Sequence, residues 1–242
     1  MSIAANVVTR LAAGMATATR RCAALLPQDC FLCAAPSGDD LLCPACRAGL
    51  PHLASEGCPV CALPTPGSTI CGACLKQAPH FDATRAVFRY EPPVDSLIQA
   101  LKYAHRLASA DFLGKALAQL ATPVRPDLIL PVPLSRARLA ERGFNQAVEI
   151  ARPLAATLGV PLELSHVRRC RDTPPQASLP WKERVKNIRH AFECEIDLSG
   201  KTVLVVDDVM TTGATLDELA RTLKAHGAAR VENRVLARAL KD

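Results

Sequence analysis

The sequence predicts an α/β fold, a mostly parallel sheet flanked by helices, preceded by a small module built on bound metal. Three observations lead there. Eight of the eleven cysteines fall in four Cys-x-x-Cys pairs between residues 30 and 74. From about residue 84, short apolar runs alternate with amphipathic stretches, the pattern of strand–helix units. The 242 residues are 49% apolar and 21% charged, a globular composition. That length allows one large domain, or a domain of about 150 residues with a small module attached. No apolar run approaches the roughly 18 residues a membrane helix needs, so an integral helical membrane protein is excluded.

Residues 1–27 carry three arginines and no acid. They predict an amphipathic N-terminal helix packed on the metal module, although their composition also resembles a transit peptide. Residues 28–80 are expected to form a double zinc ribbon. Zinc takes four thiolates at tetrahedral corners, and two cysteines separated by two residues can turn both sulfurs toward one ion. The candidate ligands are Cys30, Cys33, Cys43, Cys46, Cys58, Cys61, Cys71 and Cys74, which repeat C-x2-C-x9-C-x2-C twice. Two structural zinc ions are predicted. Consecutive sharing (30/33/43/46 and 58/61/71/74) and interleaved sharing (30/33 with 58/61, 43/46 with 71/74) both satisfy the spacing. Few large apolar residues lie here, so metal must supply much of the folding free energy. Paired Cys-x-x-Cys motifs with an odd total fit metal better than disulfides, which implies a cytoplasmic location. Cys22, Cys170 and Cys194 read as small buried residues, and His52 and His80 as surface residues.

Residues 81–242 are expected to form the α/β domain. Thr84–Tyr90 alternates and reads as a strand. Val94–Leu107 places Leu97, Ile98, Leu101 and Leu107 on one helical face, and Phe112–Leu120 reads as a second helix. Asp127–Pro131 is a short buried strand ended by proline. Phe144–Leu158 is a helix stopped by Gly159 and Pro161, and Leu162–Val167 reads as a weak strand. Residues 169–187 show no period and predict a long mobile loop, which inside a compact domain is usually functional. Lys201–Val206 is a buried strand and Ala214–His226 a helix with Leu216, Leu219 and Leu223 as its core face. Ala229–Leu236 is the last strand.

Charge is concentrated. Residues 131–190 hold eleven Arg/Lys against five Asp/Glu, which accounts for the whole net charge of +6. The most informative segment follows: Val203–Thr215, VLVVDDVMTTGAT. A buried strand runs out into two carboxylates and then into a Thr/Gly loop that opens a helix. The loop offers backbone N–H groups and the hydroxyls of Thr211, Thr212 and Thr215 at a helix N-terminus, with Gly213 permitting close approach; this suits a phosphate dianion. Asp207 and Asp208 suit sugar hydroxyls or a hydrated Mg2+. A phosphate site beside a diol site describes a ribose-5-phosphate binder.

Four apolar residues, two acids, two variable positions and TTGAT resemble the phosphoribosyl-pyrophosphate (PRPP) signature of type I phosphoribosyltransferases. LKYAHRLASADFLGKALA (101–118), PVPLSRARLAERGFNQ (131–146) and TPPQASLPWKERVKNIRHAF (173–192) resemble the ComF family of competence-associated proteins, in which a Cys-rich ribbon precedes the transferase-like domain. The resemblance implies the type I phosphoribosyltransferase fold. It implies that Asp207 and Asp208, as the catalytic acids, hold the ribose hydroxyls, and that Thr211, Thr212, Gly213, Ala214 and Thr215 bind the 5'-phosphate. PVPLSR would then carry the pyrophosphate loop and 169–187 the loop that closes the site. Arg136, Arg169, Arg171, Lys182 and Arg184 are the candidates to meet pyrophosphate. Arg138, Arg142 and Asn145 are family-motif residues without an assigned role.

Three functions are consistent with these residues. The first is Mg2+-dependent phosphoribosyl transfer from PRPP, with the leaving pyrophosphate stabilised by metal and Arg/Lys. Purine transferases of the superfamily place an Asp where this chain has Thr211, which disfavours a purine acceptor; orotate-type members also lack that Asp. The second, implied by the ComF resemblance, is handling of single-stranded DNA in natural transformation beside other competence proteins, with Phe144, Trp181 and Phe192 as candidate stacking groups among the basic residues. The third is PRPP sensing without catalysis.

Overall fold

The computed structural model describes residues 28–54, 56–103, 108–121, 123–171 and 188–240. The expected N-terminal helix and most of the expected closing loop, including Trp181, Lys182 and Arg184, lie outside them. The chain divides into two compact units after Leu50.

In the first unit, strands β1 (Gln28–Asp29) and β2 (Pro36–Gly38) pair antiparallel, and helix α1 (Pro44–Ala48) follows. Among the described residues its buried apolar side chains are Cys30, Leu42, Cys43 and Leu50. Cys43 caps α1, its sulfur accepting the Cys46 N–H at 3.5 Å.

The second unit opens with a repeat of the same local fold. Helix α2 (Gly72–Lys76) begins after Cys71 as α1 begins after Cys43. The sheet then takes the order β3 (Ala83–Arg89), β8 (Arg230–Arg238), β7 (Thr202–Met210), β4 (Leu128–Pro131), with every pairing parallel. Parallel strands covered on both faces are apolar along their whole length, and Val203, Leu204, Val205 and Val206 are all buried. Helices α3 (Val94–Tyr103), α4 (Ala108–Ala118), α5 (Arg136–Arg142), α6 (Gln146–Leu158) and α7 (Ala214–Ala225) follow in this unit.

Two contacts fix the helical layer. Gly114 of α4 meets α6 so closely that a Cβ there would lie 2.3 Å from Pro153 Cγ and 2.5 Å from Ile150 O. Arg234 of β8 is buried and donates to the carbonyls of Leu117, Leu120 and Ala121 at 3.2–3.3 Å. Carbonyls at a helix C-terminus lack intrahelical partners, so this guanidinium closes α4.

The fold class is as expected; several boundaries differ. Leu162 forms a single parallel bridge with Ile129, and no strand spans 162–167. Strand β5 (Val167–Arg169) pairs antiparallel with β6 (Phe192–Cys194), which was not expected. Arg169 is therefore a buried strand residue and not the start of a loop. Strand β7 also continues past the two acids to Met210. Its central position explains this: β8 pairs it as far as Met210, while β4 stops at Val206.

Candidate functional site

The two sets of cysteines come together as consecutive groups. The thiols of Cys30, Cys33, Cys43 and Cys46, and separately those of Cys58, Cys61, Cys71 and Cys74, all lie within 4.8 Å of one another. Cys33 and Cys43 sulfurs are 3.7 Å apart, and those of Cys61 and Cys71 are 3.5 Å apart. Four sulfurs about 2.3 Å from a tetrahedral zinc are separated by about 3.8 Å, so the donor sets fit the ion. Both knuckles turn the same way. Ala34 and Ala62, each following the second cysteine of its pair, take positive φ of 58° and 59°. Burial opposes a thiolate at Cys30, yet the backbone N–H groups of Cys43, Cys33 and Leu32 outweigh it and bring the thiol down to about 6. Cys46, hydrogen-bonded to Cys33 and Cys43, is pushed up to about 12. Interleaved sharing is excluded: each ribbon closes its own site.

The acid pair stands where β7 outruns β4. Val132 N–H donates to Val206 O at 2.9 Å, the last link on that side, and Asp207 and Asp208 follow at the opened edge. In open α/β sheets this is where ligands bind. The two acids are not equivalent. Asp208 is buried and held on both oxygens, with Gln146 Nε2 donating to Oδ1 at 2.9 Å and Lys102 Nζ paired with Oδ2. Burial opposes its charge, but Lys102 and then Gln146 hold the carboxyl below the usual carboxylate range. Asp207 is the more exposed member and accepts the Asp208 N–H at 2.9 Å. Burial first, and then the Asp208 charge, push it up to about 8.

Lys102 and Gln146 were not singled out from the sequence, though both stand in stretches that carry the family resemblance. The network continues from Gln146 to Arg142, which donates to its Oε1 and lies over the Tyr103 ring at 5.4 Å. Asn145 caps α6 through the Ala147 N–H and donates to Val132 O, both at 3.0 Å. The RGFNQ motif thereby ties α6 to the end of β4 and to Asp208.

Beyond the acids, Thr211 is exposed, Thr212 accepts the Ala214 N–H at 3.2 Å, and Gly213 leads into α7 with φ of 83°. A Cβ on Gly213 would meet Met210 Cε at 2.7 Å, so only glycine fits this turn. Ala214 and Thr215 form the first turn of α7, and the core face Leu216, Leu219 and Leu223 is buried as expected.

The described arginine candidates lie elsewhere. Arg136 and Arg169 line a cavity of about 760 Å3 bounded by α5, α6 and the β5–β6 hairpin, with Phe144, Val148 and Glu193 among its walls. Neither acid lines it; Asn145 does, one residue from the Gln146 that holds Asp208. Arg169 lies 5.8 Å from the Phe192 ring. Arg171 is exposed and donates to Arg189 O at 2.7 Å.

A phosphoribosyl transferase domain model matches residues 144–242, and a double zinc ribbon domain model matches residues 22–75. The DNA utilization protein YhgH of Salmonella typhi is 36% identical over 162 residues, covering 64% of this chain and 71% of that protein. Competence protein F of Haemophilus influenzae is 32% identical over 169 residues, covering 66% and 74%. The chain belongs to the ComF family. A third ComF relative, competence protein ComFC of Bacillus subtilis, is 28% identical over 60% of this chain and 59% of its own length. Among solved structures, a purine phosphoribosyltransferase from Pyrococcus horikoshii is 27% identical over 53% of this chain and 71% of its own, with a TM-score of 0.33. Within the ComF family assignment, the ribbon and the transferase domain account for both chemical features of this chain: the paired four-cysteine centres and the acid–threonine segment on β7.

Proposed function

We propose that this chain binds PRPP, or a related ribose-5-phosphate, with Mg2+ on the segment Asp207–Thr215, as the ligand site of a phosphoribosyl-transfer protein working in DNA uptake or use. The observation that carries the reading is the unequal acid pair at the open end of β7, followed directly by a glycine-bounded helix N-terminus. The relatives' names, DNA utilization protein and competence protein, support the cellular context.

Each residue has a part in this reading. Lys102 and Gln146 occupy both oxygens of Asp208, which fixes the carboxylate and leaves Asp207 as the group open to ligand. Burial and the neighbouring Asp208 charge raise Asp207 and favour its protonated form, and a bound cation would favour its carboxylate. That carboxylate, seeking a cation, is a donor of the kind Mg2+ prefers. When bound with PRPP, Mg2+ would neutralise charge that develops on the leaving pyrophosphate. The N–H groups of the Gly213–Thr215 turn and the Thr211, Thr212 and Thr215 hydroxyls receive the 5'-phosphate. Arg136, Arg169, Arg171, Lys182 and Arg184 are the candidates to meet the pyrophosphate, Arg136 and Arg169 from the wall of the neighbouring cavity.

The test is calorimetric titration of PRPP with Mg2+ into the zinc-loaded protein and into Asp207→Asn/Asp208→Asn. Saturable binding by the first and none by the second is expected; equal binding by both would reject the site. Pyrophosphate release in the presence of candidate acceptors separates a transferase from a PRPP sensor. Competence proteins and single-stranded DNA are the proposed partners, and the paired four-cysteine groups, which suit metal better than disulfides, support a cytoplasmic location.

A further inference from the structure

Arg238, at the end of β8, connects two features that the sequence keeps far apart. It is only 4% exposed. Its Nε donates to Cys61 O at 2.9 Å, and its Nη1 donates to Met210 O at 2.9 Å, to Thr211 O, and to Ala239 O at 2.8 Å. Cys61 belongs to the second four-cysteine centre. Met210 and Thr211 are the residues on which β7 turns into the threonine loop. A buried guanidinium must satisfy its donors on fixed acceptors, because an unpaired buried charge is costly. Here the acceptors are carbonyls from both sides.

Packing repeats the connection. Cys58, Cys61, Phe81, Met210 and Leu216 belong to one buried cluster. Met210 Cε and Phe81 Cζ are the atoms a Cβ on Gly213 would meet, at 2.7 and 3.8 Å. A second polar tie runs from the segment after the ribbon: His80 donates its backbone N–H to Asp217 Oδ1 at 2.6 Å, and its Nδ1 lies 2.9 Å from the same oxygen. Asp217 sits in the first turn of α7.

We infer that Arg238 is a positioning residue for the threonine loop, and that the second zinc centre holds that loop in its binding shape through Arg238. The zinc at Cys58, Cys61, Cys71 and Cys74 fixes the Cys61 carbonyl. Arg238 carries that restraint to Met210 and Thr211, and the cluster under Gly213 completes it. Lysine cannot replace this residue, since one ammonium on a flexible stem does not span carbonyls on both sides as the planar fork does. The ligand half of the inference rests on the PRPP reading above; the loop half does not.

The experiment compares wild type, Arg238→Lys, Cys71→Ser and Cys43→Ser, each as the full chain with zinc content measured. Hydrogen–deuterium exchange across residues 209–216 reads the loop directly, and calorimetry with PRPP and Mg2+ reads the ligand. Arg238→Lys is expected to keep both zinc ions and the slow exchange of the central strands, yet to expose the loop and weaken PRPP binding about tenfold, the loss of one charge-assisted hydrogen bond. Cys71→Ser is expected to lose one zinc and expose the loop, and Cys43→Ser to lose one zinc and leave the loop protected. Unchanged loop exchange in both Arg238→Lys and Cys71→Ser overturns the inference, as does equal exposure in Cys43→Ser. Failure of the wild type to bind PRPP would reject the earlier reading alone, because loop exchange still decides this one.

Discussion

Replacing Lys102 by methionine removes the cation from Asp208 and keeps most of the side-chain volume. The Asp208 side chain is 5% exposed and that of Lys102 is 20% exposed. Removing one partner of a buried ion pair costs about 3–5 kcal/mol, because the remaining charge is left without compensation. Gln146 still donates to Oδ1, which places the cost at the lower end, about 3 kcal/mol. For a chain of this length that corresponds to a fall of about 6–12 °C in Tm. The pH dependence gives the sign. In the wild type the folded Asp208 carboxyl sits below its ordinary range; the stability it contributes is present above the unfolded pKa near 4 and is lost as pH falls through the lower folded value. Without Lys102, burial outweighs the remaining Gln146 hydrogen bond and raises the carboxyl, so acid now relieves the variant. Urea unfolding from pH 4.5 to 8, with zinc present, should show a gap between the two proteins that narrows toward acid. Adding Asp208→Asn to Lys102→Met should recover part of the loss. A penalty under about 1 kcal/mol at pH 7, or no recovery in the double variant, would refute the argument that Asp208 is held as a charged, paired group.

Asp207 titrates in the opposite sense: its folded pKa, about 8, is raised, so the free protein loses stability as pH rises from about 4 through 8. Asp207→Asn should remove that slope in thermal melts and melt above wild type at pH 8.5; superimposable profiles would count against it. Metal analysis should find two zinc ions per chain, matching the two four-cysteine groups, and fewer than one would exclude the centres. Gly114→Ala should destabilise by about 1–3 kcal/mol, because overpacking against Pro153 and Ile150 outweighs the better helix propensity of alanine; a raised Tm in melts would contradict the close approach of α4 and α6.

The zinc ligands were legible because their chemistry is local: a knuckle is four residues, and the same nine-residue gap separates the two knuckles of each set. Their partition into two centres is set by the folded chain, which brings each consecutive set of four thiols within 4.8 Å. The threonine loop was legible for the same reason, its strand, turn and helix being contiguous. Lys102 and Gln146 were not, since they reach Asp208 from two different helices across 106 and 62 positions of sequence. Neither has a local pattern that distinguishes it from a solvated side chain. Strand β6 was missed because three residues with one exposed glutamate carry too little periodicity; what makes Phe192–Cys194 a strand is its pairing with β5.

The charge tally changes most on folding. By sequence, residues 131–190 carry +6, and six net charges on a single strand would give a slope of log affinity against log salt of about −4. Folding spends several of these cations. Arg168 pairs with Glu193 and Glu195 at 2.8 and 2.6 Å, two acids that lie outside the counted segment and return to it on and beside β6. Arg152 reaches Glu149 at 3.5 Å, Arg142 is committed to Gln146, Arg169 is buried, and Arg171 donates to a carbonyl. Among the described residues, Arg136 on the cavity wall and Arg189 remain exposed. Residues 172–187 add three cations against two acids. Counting Glu193 and Glu195 leaves a net +4 over residues 131–195, and the expected slope is about −3. Fluorescence anisotropy with a labelled oligonucleotide from 50 to 200 mM salt measures it. A slope of −4 or steeper would mean that the ion pairs to Glu193 and Glu195 open to receive DNA. A slope shallower than about −3, together with PRPP affinity that survives the same salt, would place these cations at a small anionic ligand rather than along a nucleic-acid track.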